Sequence, residues 1–235
     1  MRAVYKKHIK FSEKTATLAS EEVHHLVNVV RIKIGDQLLI LNGRGSRYLT
    51  IVKEISKKEI EVELVSEEQC EDRRFIDLLL APPKKDAYID IIKYSIELNV
   101  GEIHLMDSQY SQRLKIPEDK IQKIIQAAYE QSNYAYETKI HSPIKFENCE
   151  SLLSKYENIY HFTTRGGHRP TATEKLSGSV LIIIGPEGGF SKEEHQFFTK
   201  HPKITSIQFE TNIMRSQTAV SAAMGYLQSY RFIRT

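Results

Sequence analysis

The 235-residue chain has only two cysteines, Cys70 and Cys149, far apart and in no Cys-x-x-Cys spacing. That scarcity argues against a disulfide framework and against a cysteine zinc site. No apolar run approaches the ~20 residues that span a bilayer. The opening residues, Met1 to His8, lack the apolar stretch of a signal peptide. A cytoplasmic protein that stays off the membrane is expected. A dominant charge is missing too: 33 Lys+Arg against 30 Asp+Glu leave +3, which permits nucleic-acid binding without requiring it. The nine histidines show no ligand spacing, since His24 and His25 are neighbours and His195 and His201 fall on different helix faces, so no metal is expected. Internal repeats and low-complexity tracts are absent.

What is present divides in two. Up to residue 72 the pattern is mostly period two: Gln37–Leu41, Tyr48–Val52 and Glu59–Val65 read as strands of a half-exposed antiparallel sheet, with a turn at Asn42–Ser46 and one short helix near Ser20–Leu26. This predicts a small β-barrel or sandwich over 1–72. An acidic stretch, Glu67 to Asp72, then reads as a solvated linker. Over 73–235 strands and helices alternate. Phe75–Leu80, Ile103–Leu105, Asn158–Phe162, Val180–Ile184 and Thr205–Phe209 read as strands. Helices are expected over Lys85–Leu98 (stopped by Gly101), from Pro117, near Ser151–Tyr156, over Lys192–His201 and from Gln217 to Tyr230. Such alternation predicts an α/β domain with a mostly parallel, doubly covered sheet.

The most informative segment is Leu181–Ser191. Four branched apolar residues read as a buried strand that empties into Gly185–Pro186–Glu187–Gly188–Gly189, and Ser191 stands three residues before Glu194 in capping-box spacing. A glycine loop between a buried strand and a helix is where α/β proteins bind ligands. No Gly-Lys-Ser/Thr follows and no Gly-x-Gly-x-x-Gly is present, so a triphosphate or dinucleotide cradle is not expected. Pro186 removes a further donor. The ends of three strands, at His161–Thr164, Gly185–Gly189 and Phe209–Met214, should form one crevice.

These motifs resemble the RsmE-type 16S ribosomal RNA uridine N3-methyltransferases, of the SPOUT class of trefoil-knotted enzymes. Ile184–Ser191 matches the family's most specific motif residue for residue. Ile213–Ala219 is close to its second motif, and Ala127–Ser132 and Glu97–Val100 match the middle of the fold. In the first 72 residues His25, Val30–Arg31, Gly35–Asp36 and Gly43–Arg44–Gly45 follow the family's PUA-like RNA-binding barrel. Four departures stand out: Gln217 for a glutamate, Phe209–Glu210 for Leu-Gly, Asn133–Tyr134 for Gly-Arg and Tyr110 for an arginine.

The resemblance implies an N-terminal PUA-like β-barrel over 1–72 and a C-terminal SPOUT α/β trefoil-knot domain over 73–235, forming a homodimer through the knot. The small residues Ala222, Ala223 and Gly225 would admit a partner helix. It implies S-adenosyl-L-methionine as cofactor, bound by His161, Phe162, Thr163, Ile184, Gly185, Pro186, Glu187, Gly188, Gly189, Phe209, Ile213, Met214, Arg215 and Thr218. Methyl transfer is an in-line displacement, so alignment is the protein's main task. Arg215 is the candidate for stabilising the developing uracil anion, with phosphate contact as its alternative. Glu187 is either the base or the holder of a loop N–H. Arg2, His25, Arg31 and Arg44 are candidate contacts to small-subunit ribosomal RNA. Tyr129, Tyr134 and Tyr136 read as a helix face in the core, with base stacking as the alternative. Two other functions stay open: methylation of a different RNA site, and an RNA-binding assembly factor without turnover.

Overall fold

A computed structural model describes residues 2–19, 23–170, 176 and 178–229. The chain forms two units, Met1–Asp72 with Gln126–Glu137, and Arg73–Ile125 with Thr138–Thr235. The segment 126–137 thus groups with the first unit, an association that a linear boundary after residue 72 does not include.

The first unit is built on a five-stranded sheet in the order β1 (Arg2–Tyr5), β3 (Gln37–Leu41), β4 (Ser46–Ile55), β5 (Ile60–Gln69), β2 (Thr15–Leu18). All pairs are antiparallel except β1 with β3. Its core takes Val4, Leu18, Leu38, Ile40, Val52, Ile60 and Val62, the inward positions of period-two strands. The helix expected near Ser20–Leu26 falls partly outside the described residues, and His25–Val29 forms a π-helical turn instead of a regular one. In the appended segment, Tyr129 is fully buried and stacks on Tyr5 at 5.2 Å. Tyr134 and Tyr136 lie beyond the end of the helix they were expected to share and form a tilted pair at 6.5 Å.

The second unit carries the parallel sheet. Its order is β12 (Ile204–Ile207), β10 (Asn158–Phe162), β11 (Val180–Ile184), β6 (Ile76–Leu80), β7 (Val100–Asp107), β8 (Lys139–Ile140), with β9 (Ile144–Lys145) also on β7. Every pairing is parallel. The helices are α1 (Lys85–Glu97), α2 (Glu118–Ser132, shared with the first unit), α3 (Glu150–Leu153), α4 (Lys192–Lys200) and α5 (Ser216–Ser229). β11 is buried at all five positions, as a strand covered on both faces must be. A core of Leu79, Met106, Leu152, Leu153, Leu181, Ile183 and Phe198 fills one side of the sheet.

Three boundaries differ from the sequence pattern. The helix stop after α1 is Asn99, at φ 60°, while Gly101 lies inside β7. There a Cβ on Gly101 would sit 2.6 Å from Asp77 Oδ1, which explains the glycine without a turn. β12 ends at Ile207, so Phe209 is released from the strand and packs against Phe162 and Tyr226, at 5.3 and 5.6 Å between ring centroids. The helix expected near Ser151–Tyr156 is the shorter α3, preceded by one 3₁₀ turn.

Candidate active site

Because the sheet is parallel, the carboxyl ends of β10, β11 and β12 lie along one edge. The loops leaving them, with the first turn of α5, enclose a cavity of about 360 Å³. The glycine loop is folded tightly: Gly189 N–H donates to the Pro186 carbonyl at 2.9 Å, and Gly189 has φ +72°, a left-handed conformation that glycine adopts without strain. A Cβ on Gly185 would sit 3.2 Å from the Phe190 ring. Ser216, at the start of α5, donates its hydroxyl to the Gly185 carbonyl at 3.2 Å and joins the second and third loops.

The capping box expected after the loop is formed. Glu194 N–H donates to Ser191 Oγ at 3.2 Å, and Ser191 N–H donates to Glu194 Oε2 at 2.8 Å. The second oxygen of that buried carboxylate takes Gln109 N–H, at 2.8 Å, from the loop after β7. One side chain therefore ties the glycine loop, α4 and a third loop together.

Of the proposed cofactor residues, His161, Phe162, Thr163, Ile184, Gly185, Pro186, Glu187, Gly188, Gly189, Ile213 and Met214 all line the cavity. Phe209, Arg215 and Thr218 do not. Phe209 stands behind Phe162, while Arg215 and Thr218 are solvent-exposed at the head of α5. Thr164, Arg165, Phe190, His195, Ser216 and Ala219 line the cavity as well. His195 was legible: it is one turn beyond Ser191, so a 3.6 period turns it toward the loop.

Glu187 is tied to backbone. Its carboxylate accepts Lys84 N–H at 3.1 and 3.3 Å, just before the first turn of α1. His161 is 1% exposed, and burial pushes its imidazole down to about 3, so the ring is neutral. Its Nδ1 is 3.2 Å from Ser206 Oγ. His195 is also held below the usual range, by burial and then by the Arg165 guanidinium. The cavity wall is thus uncharged at its histidines.

The four proposed RNA contacts are spread over the first unit. Arg44 is exposed at a turn whose glycines are obligatory: Gly43 and Gly45 have φ +71° and +102°, and a Cβ on either would strike Tyr5 or Tyr136. Arg2 lies at the opposite end of β3, 3.5 Å from Asp36, and Arg31 precedes that strand at φ 57°. His25 lies in the π-helical turn.

One cluster outside the cavity has the composition of a metal site. Glu102 and His104, two apart on β7, meet His141, just past β8. Their ligating atoms are already engaged. His141 Nε2 is 2.7 Å from Glu102 Oε2, and His104 Nε2 is 3.1 Å from the Tyr156 hydroxyl, which itself donates to Asp77. Burial, then His141, lowers His104 to about 4.

Residues 70–228 match the RNA methyltransferase domain family, and residues 18–65 match the RNA methyltransferase PUA domain. Ribosomal RNA small subunit methyltransferase E 2 of Borreliella burgdorferi is 30% identical over 218 residues, covering 88% of this chain and 87% of its own length. The chain belongs to the ribosomal RNA small subunit methyltransferase E family. The Rickettsia conorii member is 24% identical over 225 residues, 92% of this chain and 90% of that one. A crystal structure of the Neisseria gonorrhoeae member, bound to S-adenosyl methionine, superposes with a TM-score of 0.83 over 97% of both chains at 23% identity. The fold class is therefore the one the motifs implied: a PUA-like unit followed by a SPOUT-class α/β domain. Asn133, just past the end of α2, has a left-handed backbone, φ 54°, a conformation that asparagine adopts more readily than most residues. Among the described residues, no helix is long and apolar enough to cross a membrane.

Proposed function

We propose that this chain transfers a methyl group from S-adenosyl-L-methionine to N3 of a uridine in small-subunit (16S) ribosomal RNA. In this reading it works in the cytoplasm as a homodimer joined through the 73–235 domain, with 1–72 as the RNA-holding domain. The observation that carries the reading is the crevice at β10, β11 and β12: eleven of the fourteen expected cofactor residues line it. Its volume, about 360 Å³, falls within the range of small-molecule sites, and its glycine floor is bare. When bound, the cofactor supplies an electrophilic methyl on a sulfonium.

The chain's own residues then have definable tasks. Gly185, Gly188 and Gly189 let backbone approach the ligand, while Phe162, Ile184, Ile213 and Met214 offer apolar wall. The two cavity-facing histidines have lowered pKa values, which suits a cationic ligand because neutral rings do not repel it. In this reading Arg215, exposed between the cavity-lining Met214 and Ser216, meets the negative charge that develops on the uracil carbonyls as N3 loses its proton. Glu187 serves as the strut between the glycine loop and α1 through the Lys84 amide. Arg2, Arg31 and Arg44 are the proposed phosphate contacts, where position rather than sequence is read, and His25 is a further proposed RNA contact.

The test has two parts. Calorimetry should detect binding of S-adenosyl-L-methionine, and nucleoside mass spectrometry of small-subunit RNA from a deletion strain should show loss of 3-methyluridine. Loss of a methylated nucleoside elsewhere would transfer the activity to another RNA site, and no cofactor binding at millimolar concentration would leave an assembly factor.

A further inference from the structure

The carboxyl edge of the sheet holds a second cavity, of about 530 Å³, in the loops after β6, β7 and β11. Since β11, β6 and β7 are consecutive in the sheet, this cavity is the neighbour of the first, and Glu187 and Gly188 line both. Lys84, Gln109, Tyr110 and Gln112 complete its wall.

Tyr110 is unusual in being 48% exposed. Only four large hydrophobic residues among those described are exposed, and two of them flank the glycine loop: Tyr110 on the second cavity and Ile213, 86% exposed, on the first. The turn that carries Tyr110 is fastened on both sides. Gln109 N–H is held by the Glu194 carboxylate, and Gln112 N–H donates to the Pro82 carbonyl at 2.8 Å. Within the turn, Ser111 N–H donates to the Ser108 carbonyl, and Ser108 N–H to Ser111 Oγ at 3.1 Å. On the other side a Cβ at Gly188 would be only 3.5 Å from Tyr110 Cβ, so the ring stands directly against the glycine loop.

On the methyltransferase reading above, we propose that the second cavity receives the uracil base to be methylated, stacked on the Tyr110 ring. An exposed aromatic face on a backbone already tied down loses little freedom when a base covers it. The side-chain carboxamides of Gln109 and Gln112 supply donors matched to the uracil carbonyls, and Lys84 supplies the cation of the wall.

The chain contains no tryptophan, so Tyr110→Trp creates a single indole at the proposed platform. Full-length Tyr110→Trp, titrated with unmethylated small-subunit RNA from a deletion strain, should show quenched indole fluorescence. In parallel, Tyr110→Ala should raise the KM for that RNA by roughly tenfold to a hundredfold. Its cofactor affinity and melting temperature should stay at wild-type values, and Tyr110→Phe should restore the KM. An unquenched indole together with an unchanged KM for Tyr110→Ala overturns the base pocket. Wild-type protein that transfers no methyl to any RNA sinks the methyltransferase reading instead, and the indole signal then decides the pocket alone.

Discussion

Gly188 and Gly189 are adjacent and look equivalent in sequence, yet the structure gives them different reasons to be glycine. Gly189 has φ +72° with open space around it, so the constraint is conformational; Gly188 has an ordinary backbone, and an added Cβ meets only the Tyr110 side chain, in ordinary contact from 3.5 Å. Gly189→Ala should therefore lower stability by about 1–2 kcal/mol in urea unfolding, the cost of a left-handed L-residue, whereas Gly188→Ala should leave stability near wild type. Equal losses at both would show that crowding, not backbone conformation, shapes the loop. His161 gives a prediction in pH. Its folded pKa is lowered to about 3 by burial, whereas the unfolded chain titrates near 6.5. Between those values the unfolded state binds one proton more, so this group's stability is whole above pH 6.5 and is lost as the pH falls. His161→Gln should be less stable than wild type at pH 7, and the gap should narrow by roughly 2 kcal/mol at pH 5. A gap that stays constant would mean that the imidazole takes up its proton inside the fold.

At the scale of elements, the capping box of α4 does two jobs that the sequence showed only in half. Ser191 and Glu194 were legible as a helix start, because the spacing alone specifies the reciprocal bonds. The bond from Gln109 N–H to Glu194 was not, since it joins residues 85 apart in the chain. Ser191→Ala should cost about 1 kcal/mol, the usual value for a lost N-cap. Glu194→Ala should cost more, because it leaves the Ser191 and Gln109 amides without their acceptor at about 1–3 kcal/mol each. It should also loosen the turn under Tyr110, weakening RNA binding while Ser191→Ala does not, a difference that urea melts and filter binding would measure. Strand positions in the α/β unit were readable for the same local reason: runs such as Val180–Ile184 are apolar at every position, which only a covered strand requires. Element ends were less so. Asn99 rather than Gly101 stops α1, and Phe209 leaves its strand to pack on Phe162, both decided by tertiary contacts. The two-residue strands β8 and β9 are too short to leave a period.

For the whole molecule, what sequence conveyed was the crevice, because its three loops each follow a recognisable strand; what it withheld was long-range grouping. Segment 126–137 joins the first unit through Tyr129 on Tyr5 and through Gly45 N–H to the Ala135 carbonyl, contacts invisible to any local pattern. The second cavity was missed likewise, being assembled from residues 84, 109–112 and 187–188. Assembly through α5 is the remaining question at this scale, and Gly225 is the residue that addresses it. It sits mid-helix, exposed, with nothing within 4 Å of an added Cβ, so in a lone chain glycine there has no steric use and costs about 1 kcal/mol relative to alanine. A partner helix pressed against this face would account for it, as small residues allow backbones to come close. Gly225→Leu should then shift the protein from dimer to monomer in analytical ultracentrifugation while its far-ultraviolet circular dichroism stays unchanged. Should the variant remain a dimer and melt higher than wild type, the face is open to solvent and subunits meet elsewhere.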